Sequence, residues 1–252
     1  MSKIYEALKQ GQKEKRGTES RSALLSADLS QPLSSLDTEG PLLEKEMISL
    51  YQNIESLLTN SPKKVIQFIG SRKGEGASTI VREFGLITAQ RLGKSVLILD
   101  ADQHNPKQHL FFGITPEYGW EDMVREDGKV NGDIDKVLYQ VEESNLYVCP
   151  VSPNSALTHN VFDSPKIEDL WKKLKERFNL ILVDSPAATL SPAGAAISRN
   201  VDGVVLVLEA ENTRWPVAEN AKETIEKNGG KILGIVFNKR RYYIPDFIYR
   251  RL

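Results

Sequence analysis

Apolar side chains recur at helical spacing between residues 42 and 58, at Leu43, Met47, Leu50, Ile54 and Leu57, and the run stops at Asn60, Ser61 and Pro62. That spacing predicts an amphipathic helix with a defined end. Beyond it the period changes. Short runs rich in β-branched residues occupy 65–69, 96–99, 180–183, 204–208 and 232–237, with a weaker one at 146–151. Apolar residues at consecutive rather than alternating positions predict strands buried on both faces, as in a parallel sheet. Stretches of helical period fill the gaps at 78–92, 165–177 and 214–228. The fold class is therefore α/β, a three-layer domain with a mostly parallel sheet flanked by helices over about 63–238.

The ends read differently. Residues 3–15 have Ile4, Tyr5 and Leu8 on one side of a potential short helix, too small an apolar face to stabilise it alone. Residues 17–41 are rich in Ser, Thr, Gly and Pro and read as a linker. The expected division is 1–41 as short helix and linker, 42–238 as the folded domain, and 239–252 as a tail.

Composition narrows the classes. The 252 residues carry a formal net charge of −1, and 40% of them are apolar, which excludes a collagenous or wholly disordered chain. A single cysteine, Cys149, forms no internal disulfide and points to a reducing compartment. No apolar run approaches the roughly 20 residues that span a bilayer, and the N-terminus lacks the apolar core of a signal peptide. A cytoplasmic location is the expectation. The small net charge hides an uneven distribution. Residues 1–22 hold six Lys/Arg against three Glu, and residues 239–252 hold five against one Asp, so two basic ends flank an acidic body. The near-zero total argues against nucleic-acid binding, while the basic ends suggest contact with a partner or a membrane surface or serve simply to keep the protein soluble. His104, His109 and His159 have no metal-ligand spacing with Cys149, so no zinc site is expected. Cys149, Trp171 and Phe178 read as core.

Three strand ends carry candidate chemistry. After the run at 65–69 stands Gly70-Ser71-Arg72-Lys73-Gly74-Glu75-Gly76-Ala77-Ser78-Thr79, followed by a helical pattern. Strand, Gly-rich turn and helix start form a phosphate cradle, because glycines let backbone N–H groups approach an anion at the positive end of the helix. Ser78 is placed to put its hydroxyl on a Mg²⁺ ion. Taken alone, such a loop also fits tight strand–helix packing. The run at 96–99 ends in Asp100-Ala101-Asp102, whose two carboxylates would share one side of a strand and hold Mg²⁺ or a nucleophile's proton. Alternatively they cap the next segment, since Asn105-Pro106 marks a turn. The run at 180–183 ends in Asp184-Ser185-Pro186. Three such ends on one edge of a parallel sheet point to a nucleotide-type site.

The order of these motifs resembles the bacterial tyrosine kinases (BY-kinases), P-loop proteins related to the MinD/ParA ATPases, and the resemblance covers most of 42–240. The family's first Walker motif matches Gly74-Glu75-Gly76-Ala77-Ser78-Thr79 except at its lysine, where Ala77 stands. Its second matches Asp100-Ala101-Asp102 with Pro106, and its Walker B aspartate matches Asp184. Asn238 is similar to the asparagine that approaches the adenine base, and Thr213-Arg214 to a Thr-Arg pair after the strand before it; Thr213 also fits plain helix capping. The opening Met-Ser-Lys-Ile-Tyr-Glu-Ala-Leu-Lys resembles exosortase-associated members. The family's C-terminal tyrosine cluster corresponds to Tyr242, Tyr243 and Tyr249, which the residues alone also allow as a basic–aromatic anchor.

The resemblance implies a nucleotide site of Arg72, Lys73, Gly74, Glu75, Gly76, Ala77, Ser78, Thr79 and Asn238, catalytic Asp100, Asp102 and Asp184, and a metal held by Ser78, Asp100 and Asp184. It implies ATP or ADP with Mg²⁺, regulation of exopolysaccharide or capsule synthesis or export, and a membrane-embedded polysaccharide co-polymerase or chain-length regulator as partner. The protein would then lie peripherally at the inner membrane through that partner. Ala77 supplies neither charge nor donor, so a nucleotide-binding regulator with impaired catalysis is expected. The alternatives are an autokinase in which Arg72 or Lys73 replaces the lysine, and a MinD/ParA-like switch. In the helix at 42–58, Lys45, Ile48 and Tyr51 stand where the family has a Glu-x-x-Arg-x-x-Arg ring element. Homo-oligomerisation remains an expectation, but not through that element.

Overall fold

The computed structural model describes residues 40–125, 130, 132–153, 162 and 164–240. The expected helix at 3–15, most of the linker and the tail tyrosines lie outside the described residues. Helix α1 (Gly40–Leu57) precedes strand β1 (Lys64–Gly70), helix α2 (Ala77–Leu92) and strand β2 (Val96–Asp100). Two short helices, α3 (Gln108–Phe111) and α4 (Glu121–Val124), lead to strands β3 (Tyr139–Gln140) and β4 (Leu146–Cys149). Then follow α5 (Lys166–Arg177), β5 (Leu180–Asp184), the short α6 (Pro192–Ala196), β6 (Gly203–Glu209), α7 (Trp215–Lys227) and β7 (Ile232–Asn238).

The described strands form one sheet of order β3-β4-β2-β5-β1-β6-β7. Every neighbouring pair is parallel except β3 with β4. The α/β expectation holds. The six anticipated strands are present, and the two-residue antiparallel β3 was too short to leave a sequence pattern. Side chains alternate across the sheet as the two-residue period requires. Ile66, Phe68, Ile98 and Leu182 pack against Val81 and Phe84 of α2 and Met47 and Ile54 of α1. On the other face Leu97, Leu99 and Val183 meet Leu170, Trp171 and Leu174 of α5. Ile69, Leu206 and Leu208 meet Ala218, Ala221 and Ile225 of α7. Trp171, Phe178 and Cys149 are buried, as expected for core.

Two expectations are corrected. The run at 232–237 was read as buried on both faces, yet Ile235 is 45% and Phe237 63% exposed. Among the described residues β7 is the edge strand and pairs only with β6, with no further strand beyond it. Leu57, taken as part of the apolar stripe of α1, sits 51% exposed at the last residue of that helix, beyond the sheet-facing Met47 and Ile54.

The topology positions the site. The chain leaves β1 through α2 to β2, past β5, while it leaves β5 through α6 to β6, past β1. Connections departing in opposite directions open a crevice between the C-terminal ends of β1 and β5, where open α/β sheets bind ligands.

Candidate functional site

The loop after β1 turns on two glycines, Gly74 (φ 93°) and Gly76 (φ 92°), both in the left-handed region that L side chains avoid. Gly76 is the N-cap of α2, and its carbonyl accepts from the amides of Thr79 (3.1 Å) and Ile80 (3.0 Å). Ala77 and Ser78 begin the helix, where N–H groups have no intrahelical acceptor. The space around Gly74 is open: a Cβ there would meet nothing within 4 Å. Open amides at a helix start are the chemistry of an anion cradle.

Buried polar side chains hold this loop from outside. Glu75, 1% exposed, accepts from Ser71 Oγ (2.8 Å), the Arg72 amide (2.9 Å) and Thr213 Oγ1 (2.5 Å). The Thr213 hydroxyl thus ties the β6–α7 connection to the loop rather than capping α7, whose N-cap is Arg214 with no side-chain cap bond. Arg72 is engaged on the same network, its Nε 3.7 Å from Glu75 Oε1 and its Nη2 3.4 Å from Thr213 Oγ1. From the end of β7, Asn238 Nδ2 donates to the Glu75 carbonyl (2.8 Å) and Lys239 Nζ to the Gly74 carbonyl (2.6 Å). The Asn238 amide therefore binds the loop backbone itself. Lys73 and Thr79 lie on the exposed surface of the same segment.

The carboxylates stand across the crevice. β2 and β5 pair in register with Asp100 beside Asp184, both buried. Asp184 Oδ1 accepts from Ser78 Oγ (3.1 Å) and Oδ2 from Gln108 Nε2 (2.6 Å). Asp100 Oδ2 accepts the amides of Lys107 and Gln108 (3.0 Å each), and Oδ1 that of Asp102 (3.2 Å). β2 ends at Asp100, so Asp102 is not a strand partner on the same side but a turn residue whose Oδ1 accepts from the His104 (3.1 Å) and Asn105 (3.2 Å) amides. Both carboxylates thus bond the backbone of the segment that follows β2. Burial pushes Asp184 up to about 6, against the hydrogen bonds from Gln108 and Ser78. Burial, and then the charge of Asp184, hold Asp100 well above the usual carboxylate range.

Sequence reasoning missed four residues here. Gln108, fully buried, bridges Asp184 and the Ser78 carbonyl (3.3 Å). Arg82, one turn after Ser78, places its guanidinium 4.4 Å from the Phe111 ring centroid and 3.2 Å from Thr79 Oγ1. Its Nε finds no acceptor among the described residues, and it senses the charges of Asp184 and Asp100. Its helical spacing from Ser78 is the signal that would have found it. Trp120 Nε1 donates to the Asp100 carbonyl (2.8 Å). Lys239 was read only as tail charge.

The geometry suits a phosphate chain, with open helix-start amides facing a serine hydroxyl and an acid. Mg²⁺ takes few protein ligands and keeps waters and phosphate oxygens for the rest. Ser78 and Asp184 fit that pattern, whereas Asp100 already accepts three backbone amides; among the described residues no group of three acidic, His or Cys side chains forms a metal cluster. A separate open cleft of about 730 Å³ at the opposite edge of the sheet is lined by Lys63, Trp171, Lys175 and Asp202, with Lys175 paired to Asp202 at 3.0 Å.

Comparison with known proteins places the chain. The family model of the cellulose biosynthesis protein BcsQ matches residues 63–223. The chain is 32% identical over 180 residues to the tyrosine-protein kinase CpsD of Streptococcus agalactiae, covering 70% of this chain and 75% of that protein. The kinase domain of the Escherichia coli tyrosine kinase ETK superposes with a TM-score of 0.73 at 15% identity, over 87% of this chain and 86% of that one. The cell division ATPase MinD of Pyrococcus furiosus does so with a TM-score of 0.57 at 22% identity, over 75% and 78%. The two structural likenesses speak for the shared fold.

Proposed function

This chain belongs to the family of the cellulose biosynthesis protein BcsQ and is related to the bacterial tyrosine-protein kinases, and from that membership we propose that it is a nucleotide-binding regulator of exopolysaccharide or capsule synthesis or export. The observation that carries the reading is the pairing of an anion-receptive loop at Gly74 and Gly76 with Ser78 hydrogen-bonded to Asp184 across the crevice. The ligand is ATP or ADP with Mg²⁺. Ser78 and Asp184 would hold the metal, which supplies charge neutralisation at the outer phosphates. The amides at the start of α2 bind and orient the phosphates, and Asp184 anchors the Ser78 hydroxyl. Ala77 adds no cation to the loop, and losing one preorganised electrostatic contact costs around 10²–10³ in rate. Binding is therefore retained and phosphoryl transfer is weak.

The partner is a membrane-embedded polysaccharide co-polymerase or chain-length regulator, and the protein sits peripherally at the cytoplasmic face through it. No helix among the described residues is long and apolar enough to cross a membrane, which is compatible with that arrangement. Arg82 favours a second reading. It is a cation on the helix that follows the loop, sensing the charges of both acids, and could take the place of the missing lysine in an active autokinase that phosphorylates Tyr242, Tyr243 and Tyr249 in trans.

Calorimetry with Mg-ADP, and intact mass after incubation with Mg-ATP, test both. Submillimolar ADP binding without phosphate on the tail tyrosines is the expected result. Phosphotyrosine lost on Arg82→Ala would establish the second reading instead. Absence of nucleotide binding at millimolar concentration would refute both.

A further inference from the structure

Two consecutive residues at the end of β7 grip two consecutive carbonyls of the phosphate loop. Asn238 Nδ2 holds Glu75 O at 2.8 Å, and Lys239 Nζ holds Gly74 O at 2.6 Å. The grip is itself braced. Asn238 Oδ1 accepts from the Lys239 amide (2.9 Å), and the Asn238 carbonyl accepts from Ala210 N (2.9 Å). Glu209 Oε2 stands 3.6 Å from the Lys239 ammonium. Lys239 adopts φ 57°, a left-handed conformation that is uncommon for a side-chain-bearing residue. Gly76 passes so close that a Cβ there would lie 2.1 Å from Asn238 Nδ2.

A trans peptide unit is planar, with its C=O and N–H pointing in opposite directions. The Gly74 carbonyl shares a unit with the Glu75 amide, and the Glu75 carbonyl shares one with the Gly76 amide. Fixing these two carbonyls on the outer side of the loop therefore aims both amides toward its inner side, where a phosphate oxygen would bind. A charge-assisted bond fixes that direction more strongly than a neutral one. Ala77 itself has no side-chain donor for that task.

We propose that Lys239 is a positioning residue for phosphate binding, which sets the direction of the Glu75 amide through the Gly74 carbonyl and so holds the loop in its anion-receiving shape from outside. The ligand class is a nucleoside di- or triphosphate, and this step rests on the nucleotide-site reading above. Lys239 touches no ligand itself. It substitutes for a lysine inside the loop in organising the backbone, not in contacting the reacting phosphate.

The full chain, Lys239→Met and Lys239→Arg are compared in two measurements. The first is calorimetric affinity for Mg-ADP and for inorganic pyrophosphate. The second, which needs no ligand, is the rate of tryptic cleavage after Arg72 and Lys73, normalised to cleavage after Lys172 and Lys173 in α5, with thermal midpoints recorded alongside. Lys239→Met should weaken both ligands about tenfold or more, the scale of a hydrogen bond to a charged group. It should also accelerate the loop cut selectively, and Lys239→Arg should restore both. Unchanged affinity in Lys239→Met, or equal acceleration at the loop and at α5, would overturn the proposal. Should the wild-type chain bind neither ligand, the nucleotide reading falls. The cleavage ratio still decides whether Lys239 fixes the loop, and an unchanged ratio overturns that too.

Discussion

On the β1 side of the crevice, Asn238 and Lys239 grip two backbone carbonyls of the loop; on the β2 side, Asp100 and Asp102 grip backbone amides. Asn238 and Lys239 hold the Glu75 and Gly74 carbonyls, so the Gly76 and Glu75 amides of the same peptide units face the other way. Asp100 and Asp102 accept the amides of Asp102, Lys107, Gln108, His104 and Asn105, and the second oxygen of Asp184 takes the Gln108 amide group. A carbonyl held from outside frees a donor for an anion. A carboxylate filled by N–H groups has less left for a metal or a proton. The two halves descend from motifs of equal prominence in the sequence, but the phosphate half is prepared for a ligand and the acidic half is largely occupied with its own backbone.

Substitutions on each side can break that contrast. The largest effect is expected on the acidic side. Asp100→Ala leaves three buried or half-buried amides without an acceptor and should cost about 3 kcal/mol of stability, since each unmade bond costs roughly 1–3 kcal/mol and relief of the buried acid returns part. Urea unfolding measures this. A variant as stable as the wild type would mean that Asp100 is a ligand group rather than a strut.

On the phosphate side, Gly76→Ala adds a Cβ at a left-handed φ, against the Asn238 amide. The strain is about 1–2 kcal/mol, and the Asn238–Glu75 bond must shift. Stability should fall less than in Asp100→Ala, while Mg-ADP affinity falls beyond calorimetric detection. Retained affinity would show that the loop does not need its present course.

The smallest effect is a gain. Asp184, pushed up to about 6, keeps its proton in the folded chain over a range where the unfolded chain has lost it, from roughly pH 4 upward. The folded state therefore loses stability as pH rises through that window and stays penalised above it. Asp184→Asn should raise stability by about 1 kcal/mol at pH 8, the full linkage of the shift being offset by a poorer acceptor for Gln108. The gain should fade near pH 5, as thermal unfolding across pH would record. A gain independent of pH would reject burial of charge as its cause.

The strands, the large helices and the loop after β1 were legible because each rests on local signals: consecutive apolar residues, helical spacing, and glycines where the backbone turns left-handed. Asp184 was legible for the same reason, as the polar end of an apolar run. What stayed hidden depends on contacts between distant segments. Thr213 reaches Glu75 across 138 positions and Gln108 reaches Asp184 across 76, and no periodicity encodes such meetings. Lys239 belonged to a cluster of basic residues and looked like part of a solvated tail. Only the register of β6 with β7, which brings Asn238 beside Glu209, puts it next to the loop. The exposed face of β7 was misread because composition alone does not tell an edge strand from a central one.

Trp120 gives the site an optical reporter of its own. It is fully buried, its ring lies 4.8 Å from that of Phe162, and its indole N–H holds the carbonyl of Asp100. Trp215, by contrast, is 72% exposed at the start of α7 and emits from water. Red-edge and blue-edge fluorescence therefore come from different places in the molecule. A ligand that displaces the end of β2 must stretch or release the Trp120 bond. With the second buried tryptophan, Trp171, replaced by Phe, its arrival can be followed by the colour and lifetime of the blue component, without label or coupled assay.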